Sequence, residues 1–233
     1  LHGVTSSGKT EIYIHLIEEQ LKKGRQVLYM LPEIALTTQI ILRLQKHFGP
    51  VTGVYHSRFN DQERVEIWKR VADRDPGTGY RLILGVRSSL FLPFSDLGLV
   101  IIDEEHDTSY KQHDPAPRYH ARDSAIMLAA LHKAKTLLGS ASPSIESYNN
   151  AISGKYGYAS LNERYGQINL PAIVIANTRE AYRKKLMVSH FTPELLDAMD
   201  RALSRNEQII LFQNRRGFSP YIECPECGWI PAC

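Results

Sequence analysis

The loop at residues 3–10 restricts the folds that this chain can adopt more than any other sequence feature. Gly3, four further residues, and then Gly8, Lys9 and Thr10 match the pattern G-x-x-x-x-G-K-[ST]. In this pattern backbone amides surround phosphate oxygens, the lysine neutralises the β- and γ-phosphates, and the hydroxyl ligates magnesium. The pattern predicts that the nucleotide is bound by Gly3, Val4, Thr5, Ser6, Ser7, Gly8, Lys9 and Thr10.

Such a loop normally follows a whole strand and opens a helix. Only two residues precede Gly3, which is too few for the usual strand of about five residues. We therefore expect the chain to be a piece of a longer protein.

Apolar strands and helical patterns alternate after the loop. The strand patterns occupy residues 26–31, 51–56, 80–86, 97–103 and 136–141, and the helical patterns occupy 10–24, 37–48, 61–73 and 120–135. Alternation of this kind predicts an α/β fold with a doubly wound, mostly parallel sheet. The strand patterns are continuously apolar, as is typical of strands covered on both faces.

The chain divides by composition into four segments. Residues 1–160 hold the alternating pattern, and residues 161–185 are polar and weakly patterned, which indicates a linker. A helix at 192–205 and a strand at 208–213 then begin a second unit over 186–222. Residues 223–233 form a short cysteine-containing end.

Composition excludes several classes of protein but selects none. Apolar residues make up 43% of the 233 residues, enough for a buried core, and the net charge of +3 permits a nucleic-acid partner without requiring one. No apolar run approaches the ~20 residues that span a bilayer. We expect no membrane partner and a cytoplasmic location, which agrees with the absence of cysteine from residues 1–223.

An acidic cluster ends the strand pattern at 97–103. Asp103 and Glu104 follow four apolar residues, at the strand end where open α/β sheets bind ligands. Acidic residues at a strand end are often simply solvated. Next to a phosphate-binding loop, however, such residues can bind magnesium and activate water. We predict that Thr10 and Asp103 bind magnesium, that Glu104 activates the attacking water, and that Lys9, Asp103 and Glu104 are the catalytic residues.

The three cysteines indicate zinc. Cys224 and Cys227 have the C-x-x-C spacing of a zinc knuckle, and Cys233 follows six residues later. A structural zinc site takes four ligands, so this chain alone cannot complete one.

Several stretches together carry a resemblance to a known family. They are GVTSSGKTE, LPEIALTTQI, VYHS, GVRSSLFLPF, IIDEEHDTSYKQHDPAPRYHARD, GSASPSIES, LFQNRRGFSP and CPECGW. The chain resembles the PriA family of primosomal replication-restart helicases, which are superfamily 2 proteins with a DEEH box. The resemblance implies a RecA-like P-loop NTPase lobe followed by an incomplete second RecA-like lobe and the start of a zinc-binding insertion.

The function that the resemblance implies is ATP-dependent 3′-to-5′ unwinding of DNA at stalled or repaired replication forks, with initiation of primosome assembly. The implied cofactors are ATP, Mg²⁺ and Zn²⁺. The implied partners are forked and single-stranded DNA, single-strand DNA-binding protein, other primosome proteins and the replicative helicase loader. The implied location is the bacterial cytoplasm, in association with the nucleoid.

The resemblance also implies roles for individual residues. His106, Ser140 and Ser142 would couple hydrolysis to lobe movement. Tyr110 and Tyr119 would stack on bases. Backbone and phosphate contacts to DNA would come from Pro32, Thr37, Arg87, Ser88, Lys111, Arg118, Arg122, Arg215 and Arg216, and zinc would be bound by Cys224, Cys227 and Cys233.

The sequence departs from the family pattern at Ser6, where glycine is usual, and at Ser142, where threonine is usual. The family's fork-binding region and arginine finger lie outside these residues, so we expect the 233 residues alone to bind nucleotide weakly without appreciable turnover. Two alternatives stay open: another superfamily 2 DNA translocase, and a non-catalytic zinc-containing scaffold.

Overall fold

The computed structural model describes residues 1–33, 35, 38–56, 58–75, 77–167, 171–212, 226, 227 and 229. These residues belong to two compact units, 1–169 and 170–233. The predictions made for Thr37, Arg215, Arg216, Cys224 and Cys233 lie outside the described residues.

The first unit alternates strands and helices. Their order from Lys9 to Gly139 is the predicted one, whereas the helix at Ile145–Ile152 and the short strands at His2–Gly3 and Ser160–Leu161 were not predicted. Its elements are β1 (His2–Gly3), α1 (Lys9–Lys22), β2 (Gln26–Met30), α2 (Thr38–Phe48), β3 (Thr52–Tyr55), α3 (Asp61–Ala72), β4 (Leu82–Gly85), β5 (Leu97–Asp103), α4 (Ala121–Leu131), β6 (Lys135–Gly139), α5 (Ile145–Ile152) and β7 (Ser160–Leu161). Short 3₁₀ turns occupy Gly49–Val51, Arg87–Phe91, Thr108–Tyr110 and Tyr165–Gln167.

The central sheet has five parallel strands in the order β3-β4-β2-β5-β6. All residues of β2 and β4 are buried, and so are all but the last of β5. This burial on both faces explains why these strands read as continuous apolar runs. The predicted α/β fold with a doubly wound, parallel sheet is confirmed.

Helices cover both faces of the sheet. On one face, α1 and α2 pack on Val27, Tyr29, Leu31, Leu82, Leu84, Leu99 and Ile101. On the other, α3 and α4 pack on Leu28, Met30, Ile83, Val100 and Ile102. The alternation along β2 and β5 sends successive side chains to opposite cores, as strand geometry requires.

The residues before the phosphate loop extend the sheet at the β6 side. His2 forms a parallel bridge with Ser140, and Gly3 N–H donates to the Ser140 carbonyl over 3.0 Å. β1 also pairs in parallel with β7. The loop therefore begins at the carboxyl ends of the strands, beside the end of β6.

The second unit contains α6 (Thr178–Arg183) and α7 (Pro193–Ser204). The strand predicted at 208–213 is wrong for the described part of that range, since residues 208–212 have no strand assignment and Ile210 and Phe212 are exposed. A strand needs a neighbour for its backbone hydrogen bonds. Among the described residues of this unit, strand-type pairing is limited to the bridge between Val188 and Phe191.

No helix in the described ranges is both long and apolar enough to cross a membrane.

Candidate active site

The loop at residues 3–10 turns from β1 into α1 through two residues with positive φ. Gly8 has φ 89° and caps α1, and Ser6 has φ 63°. Glycine adopts this conformation freely, whereas serine does so at a cost, so the glycine that the resemblance leads us to expect at position 6 would relieve the backbone there. The Lys9 ammonium donates to the Gly3 carbonyl over 2.8 Å, which holds the lysine along the inside of the loop.

An open pocket of about 630 Å³ lies above the loop, within the size range of small-molecule sites. It is lined by Thr5, Ser6, Ser7, Gly8, Lys9, Thr10, Glu11, Arg43, Asp103, Glu104 and Tyr165. The structure thus brings most of the predicted nucleotide loop together with both predicted carboxylates. Gly3 and Val4 are not among the lining residues. Arg43 and Tyr165 were not predicted, because neither belongs to a motif.

Asp103 is the last residue of β5, and both oxygens of its carboxylate accept hydrogen bonds. Oδ1 accepts from the Tyr13 hydroxyl at 3.0 Å and from the Glu104 N–H at 3.1 Å, and Oδ2 accepts from the Tyr29 hydroxyl at 3.2 Å. Burial raises the pKa of the Asp103 carboxyl, and the Tyr13 hydrogen bond opposes that shift. Sequence reasoning missed both tyrosines, because they lie 90 and 74 residues from Asp103.

Glu104 connects the pocket to the predicted coupling residues. Its φ of 45° is unusual for glutamate and marks local strain at this position. The Ser140 hydroxyl lies 3.5 Å from Glu104 Oε2 and 2.8 Å from His106 Nδ1. Ser142 joins the same group, since its N–H donates to Ser140 Oγ at 2.9 Å and its hydroxyl lies 3.4 Å from His106 Nε2. The structure therefore places all the predicted coupling residues in one cluster.

Glu105, which received no sequence-based role, is the buried centre of a second polar cluster. Its carboxylate accepts from Arg122 at 3.0 Å, from Ser147 Oγ at 2.8 Å, and from the Ser144 N–H at 2.6 Å. Burial opposes ionisation of this carboxyl, but these donors outweigh it and the pKa of Glu105 is lowered. The cluster ties the end of β5 to α4 and to the start of α5.

A second surface is formed by Arg87, Ser88, Phe91, Lys111 and Tyr119, and all of these except Phe91 were predicted to contact DNA. Arg118, which was also predicted to contact DNA, is exposed in the adjoining loop. Arg87 donates to the Ser109 carbonyl at 3.2 Å, and the Lys111 ammonium donates to the Arg118 carbonyl at 3.1 Å. Residues 113–118 are exposed, and the Gln112 N–H donates to the Tyr119 carbonyl, which closes the loop.

Phe91 adds an aromatic side chain to which the sequence analysis gave no role. It is 64% exposed, whereas its neighbours Leu90 and Leu92 are buried. Its ring meets Tyr119 edge-on, with centroids 5.2 Å apart. A short 3₁₀ turn shows no hydrophobic periodicity in the sequence. The sequence therefore could not indicate whether the Phe91 side chain faces the core or the surface.

Three predicted DNA contacts need correction. Tyr110 has no exposed surface, and its hydroxyl donates to the Asp103 carbonyl at 2.7 Å, so its ring is inaccessible to a base. Arg122 is largely buried between Glu105 and Asp123 and is not available for phosphates. Pro32 is buried as well. All three were predicted from motif letters, which do not report burial.

The oxygen ligands at the pocket fit magnesium, whereas most of the residues predicted to bind zinc lie outside the described ranges. Thr10 and Asp103 line one pocket, and Mg²⁺ is commonly bound through one or two carboxylates together with phosphate oxygens. Among the residues predicted to bind zinc, Cys227 alone lies in the described ranges, where it is exposed and forms no disulfide. Within those same ranges no group of three or more His, Cys, Asp or Glu residues could hold a metal.

A phosphate loop, an acidic strand end and a serine–histidine cluster on a parallel sheet together match the nucleotide-binding lobe of a helicase. The family model described as DEAD/DEAH box helicase matches residues 1–151. The chain belongs to the DEAD/DEAH box helicase family. Helicase domains use nucleotide and Mg²⁺ generally.

Within that family, the similarity is to proteins named replication restart protein PriA. The chain is 41% identical over 233 residues to the one from Bacillus subtilis and 45% identical over 234 residues to the one from Haemophilus influenzae. Each comparison covers 100% of this chain, and 28% and 31% of the respective relative. The chain thus spans about a third of the length of these relatives, and the predicted resemblance to PriA is confirmed.

Among solved structures, the one titled "Structure of RecG bound to three-way DNA junction" matches with a TM-score of 0.49 and 22% identity, covering 71% of this chain and 21% of that chain. This similarity is too low to carry the assignment.

Proposed function

We propose that the protein is an ATP-dependent DNA helicase that recognises stalled or repaired replication forks, unwinds DNA in the 3′-to-5′ direction and initiates primosome assembly. The family assignment supports the helicase activity. The printed name of the relatives, replication restart protein, supports the process. Polarity and fork recognition come from the family resemblance and are part of the proposal.

One observation carries the proposal: Glu104 faces the phosphate-loop pocket and also lies within 3.5 Å of the Ser140 hydroxyl. A carboxylate that only capped a strand would have no reason to contact a second motif. In the proposed mechanism the loop amides and Lys9 hold the triphosphate, while Thr10 and Asp103 hold the magnesium ion that offsets its charge.

Glu104 then orients and polarises the attacking water. Its contact with Ser140, and through Ser140 with His106 and Ser142, passes a change at the γ-phosphate to residues after β6. Coupling of this kind is the role that we propose for the cluster.

For DNA we propose the surface formed by Arg87, Ser88, Phe91, Lys111 and Tyr119. Single-strand sites combine cationic groups that follow the backbone with aromatic rings that stack on bases. Arg87 and Lys111 supply the cations, and the pair of Phe91 and Tyr119 supplies the rings.

Further partners follow from the proposed process. We propose forked and single-stranded DNA, single-strand DNA-binding protein, other primosome proteins and the replicative helicase loader as partners, and the bacterial cytoplasm at the nucleoid as the location. Zinc at Cys224, Cys227 and Cys233 is proposed as a cofactor of the full-length protein, and the C-x-x-C spacing supports it.

The deciding experiment measures ATP hydrolysis by the full-length protein with and without forked DNA that has a free 3′ end. We expect strong stimulation by the fork and a loss of about 100-fold or more in Glu104→Gln, because the water loses its general base. Nucleotide binding should persist in that variant. Glu66→Gln is the matched control, because Glu66 is an exposed glutamate on α3. This variant should hydrolyse ATP at the wild-type rate.

Other outcomes would point elsewhere. Equal stimulation by any single strand would keep the helicase and remove fork recognition. No hydrolysis despite normal nucleotide binding would favour a non-catalytic scaffold.

A further inference from the structure

Asp103 is enclosed by tyrosines from three parts of the chain. Tyr13 comes from α1, Tyr29 from β2, and Tyr110 from the turn after the acidic cluster, and all three are buried. Tyr13 and Tyr29 donate to the carboxylate, whereas Tyr110 donates to the main-chain carbonyl of the same residue.

The hydroxyls of Tyr13 and Tyr29 act only as donors here. A phenol carries its proton near neutral pH and an ionised carboxylate only accepts, and each hydroxyl lies within hydrogen-bond distance of an Asp103 oxygen. A carboxylate offers about four lone-pair positions. Tyr13 and the Glu104 N–H use two positions on Oδ1, and Tyr29 uses one on Oδ2, which leaves one position on Oδ2.

Space for Tyr13 depends on a glycine in β6. Gly139 pairs with Asp103 in the sheet register. A Cβ at position 139 would lie 1.8 Å from the Tyr13 hydroxyl oxygen and 2.9 Å from its Cζ, so any larger residue would push the ring away from Asp103. The sequence thus keeps a gap that the tyrosine hydroxyl fills.

We propose that Tyr13 and Tyr29 are positioning residues that lock the Asp103 carboxylate so that Oδ2 alone meets the magnesium ion or one of its waters. The inference rests on the proposed nucleotide function, and it adds residues that no motif identifies. Partners that fix a metal ligand affect metal affinity strongly, typically 10–100-fold when removed.

The test measures magnesium-dependent binding of a fluorescent ADP analogue to the full-length protein, without hydrolysis. Tyr13→Phe and Tyr29→Phe remove one hydroxyl each and keep the ring. We expect each to raise the Mg²⁺ concentration at half-maximal binding by about 10-fold or more. Affinity for the analogue in EDTA should stay within about twofold of wild type, since the loop is untouched.

Tyr110→Phe is the matched control, because it removes a buried hydroxyl bonded to the same residue but not to the carboxylate. Its Mg²⁺ requirement should stay within about twofold of wild type. Gly139→Ala tests the same idea by a different route, since it displaces Tyr13 while leaving its hydroxyl, and it should reproduce the Tyr13→Phe shift. If Gly139→Ala fails to fold, Tyr13→Phe decides.

The possible failures are distinguishable. Normal magnesium-dependent binding in wild type with unchanged Tyr13→Phe and Tyr29→Phe overturns the positioning role alone. An equal shift in Tyr110→Phe also overturns it, because the effect would then come from general loosening of the site. A wild-type protein that binds no nucleotide with or without Mg²⁺ overturns the proposed function, and this inference with it.

Discussion

At the scale of single residues, the ion pair of Glu105 and Arg122 is buried, so its loss should be costly. The two side chains are 2% and 12% exposed, and their closest atoms are 3.0 Å apart. Removing one partner of a buried pair leaves an uncompensated charge. Arg122→Met should therefore lower the free energy of unfolding by about 3–5 kcal/mol, measured by urea denaturation.

The exposed pair of Arg43 and Glu11 supplies the control. Its side chains are 50% and 66% exposed, and exposed pairs contribute about 1 kcal/mol or less. Arg43→Met should therefore change stability by no more than that. A loss in Arg122→Met as small as in Arg43→Met would show that the serine donors of Glu105, which are the Ser144 N–H, the Ser144 hydroxyl and the Ser147 hydroxyl, are sufficient without the arginine.

The sequence predicted which residues share the pocket only where a local motif contained them. Residues 5–10, Asp103 and Glu104 line that pocket, and each belongs to a motif that can be recognised within a few residues of sequence. Tyr13, Tyr29 and Glu105 were missed, since their roles depend on partners up to 90 residues away. Tyr110 and Arg122 were misassigned for the same reason.

At the scale of elements, the turn Arg87–Phe91 and the loop 111–119 meet through the edge-on contact of Phe91 with Tyr119 and through a hydrogen bond from the Tyr119 hydroxyl to the Arg87 carbonyl at 3.5 Å. Phe91 is held outward because Leu90 and Leu92 insert into the core on either side. If the pair stacks on bases, Phe91→Ala should weaken single-stranded DNA binding by about 1–3 kcal/mol, measured by fluorescence anisotropy at fixed salt.

Trp68→Ala is the control for Phe91→Ala, because Trp68 is a comparably exposed aromatic residue on α3, at 51%. It should bind DNA like wild type. Equal losses in the two variants would mean that the effect is not specific to the proposed surface.

The central strands and helices were predictable because burial on both faces leaves a continuous apolar run for each strand and amphipathic spacing for each helix. The range 208–213 shows the limit of that reasoning. Its apolar letters satisfy the strand pattern, yet a strand also needs a neighbour, and no pattern within a segment reports one.

At the scale of the whole molecule, every described residue that lines the nucleotide pocket belongs to the first unit. Residues 171–177, at the start of the second unit, have no helix or strand, and Ile173, Val174 and Ile175 are all more than three-quarters exposed. Exposed segments of this kind are preferred sites of proteolysis. Thermolysin, which cleaves before large apolar residues, should therefore cut first at 173–175 or at 210–212, where Ile210 and Phe212 are exposed and also lie outside any helix or strand.

The fragment that ends there should still bind the fluorescent ADP analogue, because the loop, Asp103, Glu104 and Tyr165 all precede the cut. Mass spectrometry of the first products identifies the site. First cleavage in the exposed loop 113–118 would contradict this expectation, and so would a fragment cut at 173–175 that no longer binds the analogue.

The contact of Ser140 with both Glu104 and His106 also bears on how such sequences change over time. The hydroxyl at position 140 contacts the imidazole at 106 and the carboxylate at 104, although 34 and 36 residues separate them. Loss of the imidazole or of the hydroxyl would weaken the selective reason for keeping the other, whereas Glu104 is also kept by its proposed role in hydrolysis. Across an alignment of relatives, positions 106 and 140 should therefore vary together, as touching residues do.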